Sequence, residues 1–397
     1  MTDKIFCVAP FVESFISTQG YTKLCCVSKQ INHQDFGQFD WYNDQLTETR
    51  RLFNQGKWPQ ECVNCRIAEA QGGRSTRQSF NQRFSDHYRE LMANPTDRPP
   101  PAHSYQIRMG NRCNLRCVMC DSESSDMIGR AQQIYQNDTG ITPPDPIWPP
   151  HSVDQETATI DQILGHAEHI QQLELNGGEP FIMPNVIHCL NQLVTQGHAD
   201  HIDLSITTNG TVLRPQWVTE WLNRFRSVLI QLSVDAVESR AEYVRYGHRW
   251  HTITRRIQDF RSAITADSAI ELLVTPTVHA ATVSEIPRVW AWCHAMGLGV
   301  PCYHPVYSPE WLHPGRVPHS VSLPVKAWID QLTEDQLTQS GLDSVREVME
   351  HPPQPTTWII QEQQYVIGML NHTLPVTWRD AVPELADWDP HGEPPPQ

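Results

Sequence analysis

The segment Arg112-Cys113-Asn114-Leu115-Arg116-Cys117-Val118-Met119-Cys120 decides how this chain is read. Its cysteines are spaced C-x3-C-x2-C. Three thiolates on so short a loop can each reach a different corner of an iron–sulfur cube, and a [4Fe–4S] cube usually takes four cysteines. A loop that supplies three leaves one iron open. An open metal position is where chemistry occurs, by the logic that separates catalytic from structural zinc sites. The alternative is zinc held by the three cysteines and a histidine. Zinc knuckles use C-x2-C pairs, so the triplet fits that reading poorly.

Outward from the loop, residues 103–310 alternate short apolar runs with helical patterns. Strands are expected at 105–109, 172–176, 201–207, 228–234, 270–277 and 300–306, with helices at 154–168, 186–196, 216–224, 251–264 and 284–296 between them. Strand–helix alternation implies a parallel sheet with helices outside. Six units are fewer than a full eight-fold barrel, so the expectation is an α/β fold of partial-barrel or open-sheet form. The stretch 121–150, closed by Pro143, Pro144, Pro146, Pro149 and Pro150, reads as an insertion. Residues 1–94 read as a separate cysteine-rich region with helices at about 44–54 and 76–92, followed by a Pro-rich linker from Asn94 to Ala102. Residues 311–397 read as a helical extension, with helices near 325–338 and 342–350, a mixed segment at 357–387, and a disordered tail from 390 on.

Further motifs stand at successive predicted strand ends. The second strand runs into Asn176-Gly177-Gly178-Glu179-Pro180, where glycine lets the backbone approach a ligand and Glu179 offers an acceptor to an ammonium. Alone, this is also an ordinary strand-to-helix turn. The third strand ends in Thr207-Thr208-Asn209-Gly210-Thr211, the fourth carries Leu232-Ser233-Val234-Asp235, and Arg245 follows in Tyr243-Val244-Arg245-Tyr246-Gly247. The C-terminal ends of parallel strands are where α/β barrels build active sites.

Taken together, the cysteine loop and these ordered motifs resemble the radical S-adenosylmethionine (SAM) superfamily. The resemblance implies a partial (β/α)6 barrel whose [4Fe–4S] cluster sits on Cys113, Cys117 and Cys120. The open iron chelates SAM, and one electron cleaves the sulfonium to a 5′-deoxyadenosyl radical that abstracts hydrogen from a substrate. In that reading Met119 stands where an aromatic residue usually packs on the adenine, a contact a thioether can also make. Gly177, Gly178 and Glu179 resemble the motif that binds the methionine amino group. Asn209 reaches the ribose or simply makes an Asn-Gly turn. Ser233 lies near the ribose or the carboxylate. Asp235 belongs with it or caps the next helix. Arg245 pairs with the carboxylate or is a solvated helix arginine. A reductant such as flavodoxin or ferredoxin is implied as partner.

The remaining cysteines extend the resemblance. Cys7, Gly20 and Cys25, then Cys62 and Cys65, follow the pattern C-x12-G-x4-C…C-x2-C, which resembles the first part of the SPASM motif in its shortened, twitch-domain form. In familiar members this domain follows the barrel; here it precedes it. The resemblance implies an auxiliary [4Fe–4S] cluster on Cys7, Cys25, Cys62 and Cys65, with Cys26 a possible substitute for Cys25. A four-cysteine structural zinc site is the alternative. Cys189 and Cys293 read as buried small apolar residues, and Cys302 as packing or barrel-facing. Arg66, Arg74, Arg77, Arg83 and Arg89 read as a charged solvated face or as an anchor for an anionic substrate group.

Composition bounds the rest. The 397 residues carry a net charge of −15 with only five lysines, which argues against a broad duplex-DNA surface. No apolar run approaches the ~20 residues a membrane span needs. Without a recognisable signal peptide, the eleven cysteines point to metal in a reducing compartment, the cytoplasm, rather than to disulfides. Twitch and SPASM relatives often modify peptides or proteins, so that substrate class is expected first and a small carbohydrate or cofactor precursor second. A non-catalytic iron–sulfur or zinc protein on the same fold is the rival.

Overall fold

The computed structural model describes residues 5–29, 38–352 and 356–385; the expected tail from 390 on lies outside them. Its strands are β1 (Glu13–Ile16), β2 (Thr22–Lys23), β3 (Ser104–Arg108), β4 (Arg116–Cys117), β5 (Gln172–Asn176), β6 (Asp203–Thr208), β7 (Ser227–Leu232), β8 (Arg245–Tyr246), β9 (Ile270–Val274), β10 (Thr277–Val278) and β11 (His304–Pro305). The chain has an α/β fold built on a parallel sheet and divides into two compact units.

The first unit comprises residues 1–111, 150–206 and 220–228. Its strand order is β2-β1-β3-β5-β6, parallel except for the β2–β1 pair. Side chains alternate with the two-residue period of a pleated strand. Tyr105, Ile107, Leu173, Leu175, Leu204 and Ile206 are buried on one face. On the other face Glu174 accepts hydrogen bonds from Gln106 Nε2 at 2.8 Å and Asn176 Nδ2 at 2.9 Å. Helix Pro184–Thr195 starts on a proline, whose fixed φ suits a first turn, and buries Val186, Cys189, Leu190 and Leu193.

Strand β1 departs from the sequence expectation. Residues 1–94 read as a region apart, yet Glu13 to Ile16 pair in parallel with Ser104 to Ile107. All four β1 residues are buried, so no polar–apolar alternation marks them as a strand. Glu13 is buried in this position, and burial pushes its carboxyl up to about 7, with Arg83 and the Ser104 hydroxyl opposing that shift. The helix expected at 76–92 is two helices, Thr76–Arg83 and Ser85–Ala93, because Phe84 leaves helical geometry at φ −106°, ψ 44°.

The second unit comprises residues 112–149, 207–219 and 229–397. Here the end of β7 lies between those of β6 and β9: Ser233 N donates to Thr208 O and Thr275 N to Leu232 O, each at 2.9 Å. The stretch read as an insertion holds helix Asp126–Thr139, which buries Ile128, Ala131 and Tyr135 and ends at Gly140 with φ 74°. The strand expected at 300–306 shrinks to β11, paired in parallel with β10; Pro301 and Pro305 lack the N–H groups a longer ladder requires. The helix expected at 325–338 is likewise divided, into His319–Ile329 and Glu334–Ser340. Thr333 and Gln336 form a capping box that starts the second. Both helices and Thr357–Thr373 pack into one core with Trp311, Leu312, Leu342 and Val345. No described helix is long and apolar enough to cross a membrane.

Candidate metal and cofactor sites

The cysteine loop is fixed by its backbone. β4 pairs antiparallel with β8, setting Cys117 opposite Arg245 and Arg116 opposite Tyr246. Val118 N donates to Val244 O at 2.9 Å, and Cys120 N to Cys117 O at 3.1 Å. Helix Asp126–Thr139 holds the other side: Asp126 Oδ1 accepts from Cys113 N at 3.0 Å, and Ser125 Oγ donates to Leu115 O at 2.8 Å. Gly247, at φ 124°, lies against Asn114 O and Leu115, where a Cβ would come within 3.0 Å of both.

Side chains complete the clamp. Asn209 Nδ2 donates to Asn114 Oδ1 at 2.9 Å, and Asn114 Nδ2 donates to Thr211 Oγ1 at 2.7 Å. Thr211 donates to Asn209 Oδ1 from its N at 2.9 Å and its Oγ1 at 2.6 Å. Asn209 therefore makes the Asn-Gly turn and also ties the β6 end to the cysteine loop. Asn114, Thr211 and Asp126 were not singled out in the sequence. Their roles depend on contacts across about 13 to 97 positions that no local pattern records.

Arg245 and Asp235 form a buried pair. Asp235 accepts from Arg245 Nε at 2.6 Å and Nη2 at 3.0 Å, and its Oδ1 also accepts from Thr277 N at 2.8 Å. Asp235 therefore does not cap helix Glu238–Val244, which starts at Val237 without a side-chain cap. Nor is Arg245 a solvated helix residue: it follows that helix in β8, and its Nη1 lies 3.8 Å from Cys117 Sγ. A hydrogen bond from Cys120 holds Cys117 below the usual thiol range, burial opposing and Arg245 assisting, while Cys120 is pushed well up by the same bond and by burial. Burial works to lower the Arg245 pKa, but the Asp235 carboxylate and the Cys117 sulfur outweigh it, so the net shift is upward. Arg245, Ser233 and Asn209 line one small pocket with His248 and Trp250. Met119 packs half-buried on the core of this unit.

His279, just past β10, is fully buried, and among the described residues neither of its ring nitrogens has a hydrogen-bond partner. Burial pushes its pKa down to about 4, against the pull of Asp235.

In the first unit, Gly177 sits at φ 114°, and a Cβ there would lie 3.0 Å from Met109 N and 3.1 Å from Gly110 O. Gly178 N donates to Gly110 O at 3.2 Å. The glycine pair thus lets two backbone segments touch. Glu179 is fully buried, and its Oε1 accepts from Phe181 N at 3.1 Å. Gly177→Ala will cost about 1–3 kcal/mol from backbone strain alone, before the contact is counted; a fall in Tm checks it, and an unchanged Tm contradicts it.

The four N-terminal cysteines come together. Cys7, Cys25, Cys62 and Cys65 line one cavity, with Leu24, Phe53, Trp58 and Phe80 among its walls. Cys26 is exposed and is not among the lining residues. Three polar side chains hold the cysteine segments in place. Asn81 bonds Val8 N at 2.9 Å and Phe6 O at 2.8 Å; Arg77, buried against Glu69, donates to Phe6 O at 2.8 Å; Asn64 Nδ2 donates to Val27 O at 2.8 Å. Burial pushes the Cys25 thiol up to about 12 and raises Cys7 and Cys62 as well, with neighbouring cysteines adding to the latter two. Three buried thiols and the half-buried Cys62 around one apolar cavity are a donor set that bound iron would deprotonate and neutralise. Among the described residues no three His, Cys, Asp or Glu side chains gather as they would around a single ion.

The arginines after Cys65 do not form one anion site: Arg77 pairs with Glu69, Arg89 with Asp86, and Arg83 and Arg74 with Gln172 and Gln82. Cys189 and Cys293 are buried, and burial raises both thiols to about 12.

The chain is similar to several known proteins. It is 22% identical over 205 residues to GTP 3′,8-cyclase of Rhodopseudomonas palustris, covering 49% of this chain and 50% of that protein. It is 30% identical over 112 residues to GTP 3′,8-cyclase of Trichormus variabilis, covering 28% of each. The chain thus spans about half the length, or less, of these curated relatives. Among solved structures, Streptococcus suis SuiB bound to precursor peptide SuiA is 13% identical with a TM-score of 0.40, over 78% of this chain and 65% of that one. Native anSMEcpe with bound AdoMet is 18% identical with a TM-score of 0.33, over 51% and 49%. Residues 107–286 match the family model described as Radical SAM superfamily, a family that uses a [4Fe–4S] cluster and SAM. The chain therefore carries a radical SAM superfamily domain over residues 107–286.

Proposed function

We propose that this chain is a radical SAM enzyme with two [4Fe–4S] clusters, one on Cys113, Cys117 and Cys120 and an auxiliary one on Cys7, Cys25, Cys62 and Cys65 in a twitch-like arrangement. The observation that carries the reading is the three-cysteine loop, held by backbone pairing and by the Asn114–Asn209–Thr211 clamp. When bound, the cluster and SAM supply one-electron reductive cleavage of the sulfonium and, through it, hydrogen abstraction from a substrate. The chain's own residues bind and orient. Asn209, through the clamp, keeps the loop rigid; Met119 offers a soft contact to the adenine; Ser233 faces the ribose or the carboxylate; Arg245, its fork held by Asp235, serves the loop at Cys117; Gly177, Gly178 and Glu179 serve the methionine amino group. A flavodoxin or ferredoxin supplies the electron.

A peptide or protein is the substrate on the strength of the twitch-like cysteine pattern. The second reading, a small cofactor precursor, is favoured by the curated relatives named GTP 3′,8-cyclase. The test is anaerobic purification, metal analysis and reaction with dithionite and SAM, with and without GTP. About eight irons per chain and 5′-deoxyadenosine are expected. A modified product from GTP would decide for the second reading. Zinc, or iron without SAM cleavage, would leave a non-catalytic metal protein and overturn the proposal.

A further inference from the structure

Resting on the cluster reading above, we propose that Arg245 is a positioning residue that raises the reduction potential of the cluster on the Cys113–Cys120 loop by acting through Cys117, and that Asp235 both aims it and tempers its charge.

The geometry assigns each guanidinium nitrogen a task. Strand register sets Arg245 opposite Cys117. Nε and Nη2 are taken by Asp235 at 2.6 and 3.0 Å, which leaves Nη1 facing Cys117 Sγ at 3.8 Å. Asp235 is in turn held by Thr277 N at 2.8 Å. Because the guanidinium is planar, two fixed nitrogens fix the third. The Asp235 side chain is fully buried and that of Arg245 is 13% exposed, so solvent screens the pair weakly.

Reduction adds one negative charge to the cluster. A cation and an N–H···S bond at a ligand sulfur both favour the reduced form, and hydrogen bonds to sulfur are among the factors that set such potentials. The Asp235 carboxylate acts in the opposite sense. The two residues therefore have opposite effects on one couple, which a purely structural role would not produce. The effect on function is a balance: a higher potential eases electron transfer from the reductant and weakens the driving force for cleaving SAM.

The test is a redox titration followed by electron paramagnetic resonance on the reconstituted full chain without SAM, with the auxiliary cluster's couple as internal reference. Arg245→Gln is expected to disfavour reduction of the loop cluster about tenfold, about 59 mV for one electron, and Asp235→Asn to favour it. Arg245→Lys should restore part of the shift, since it returns the charge without the fork. Should Arg245→Gln fail to hold its irons, the Asp235→Asn shift decides alone. An unchanged potential, or a fall, in Asp235→Asn overturns the proposal. A wild-type chain whose loop takes up no iron overturns the underlying reading instead, and metal analysis shows this before any potential is read.

Discussion

Cys117→Ala will abolish 5′-deoxyadenosine formation, a loss of at least ~1,000-fold, and lower the iron content from about eight to about four per chain. Cys113 and Cys120 are half-exposed, whereas Cys117 is buried at the centre of the loop, between the hydrogen bond from Cys120 and the Arg245 guanidinium. Two remaining cysteines cannot hold a cube against exchange with water. The backbone pairing of β4 with β8 does not use the sulfur, so the fold persists and the loss is chemical. Circular dichroism and Tm close to wild type, together with the halved iron, identify that outcome. A variant that keeps its iron and its SAM cleavage would show that the loop is not the ligand set. The companion Cys113→Ala should behave alike, because a cube with one open iron needs every loop sulfur.

How much of this was legible in the sequence follows from the range of each interaction. The strand at 172–176, most of the one expected at 270–277, and the helices Asp44–Asn54 and Leu342–Glu350 stand where periodicity and caps put them, since those signals are local. The cysteine spacings are local too, and the structure gathers Cys7, Cys25, Cys62 and Cys65 around one cavity. What escaped was non-local. β1 is too short and too evenly buried to show a period; its partners β2 and β3, the latter about 90 residues on, make it a strand. Asp235 looked like a helix cap because Asp commonly is one; its partner Arg245 is ten residues away across the end of a helix. Gly177 reads as a ligand-facing glycine, yet what constrains it in the structure is the close approach of Met109 and Gly110. The buried His279 has no sequence signature at all, since an imidazole among apolar neighbours reads the same whether paired or not.

The adjacent pair Cys25-Cys26 gives the second large effect. Cys25→Ala should remove the auxiliary cluster, taking about four of about eight irons, while Cys26→Ala should keep all of them. Cys25 faces the cavity with Cys7, Cys62 and Cys65, and Ser28 fixes its backbone, donating to Cys25 O at 3.0 Å and accepting from Cys25 N at 3.3 Å. Cys26 is exposed. Cys25 and Cys26 sit in a turn closed by Ser28 N donating to Cys25 O at 3.3 Å, so exchanging their roles would require the 24–28 segment to turn over. That would break the Ser28 bonds and the Asn64 bond to Val27 O. Metal analysis of each variant, read beside SAM cleavage, separates the outcomes. Cleavage retained by Cys25→Ala with half the iron places the missing irons in the N-terminal cavity and leaves the loop cluster working. Full iron in Cys25→Ala with iron lost in Cys26→Ala would show that this segment does turn over when metal binds. Zinc in place of the missing four irons would make the cavity a structural site.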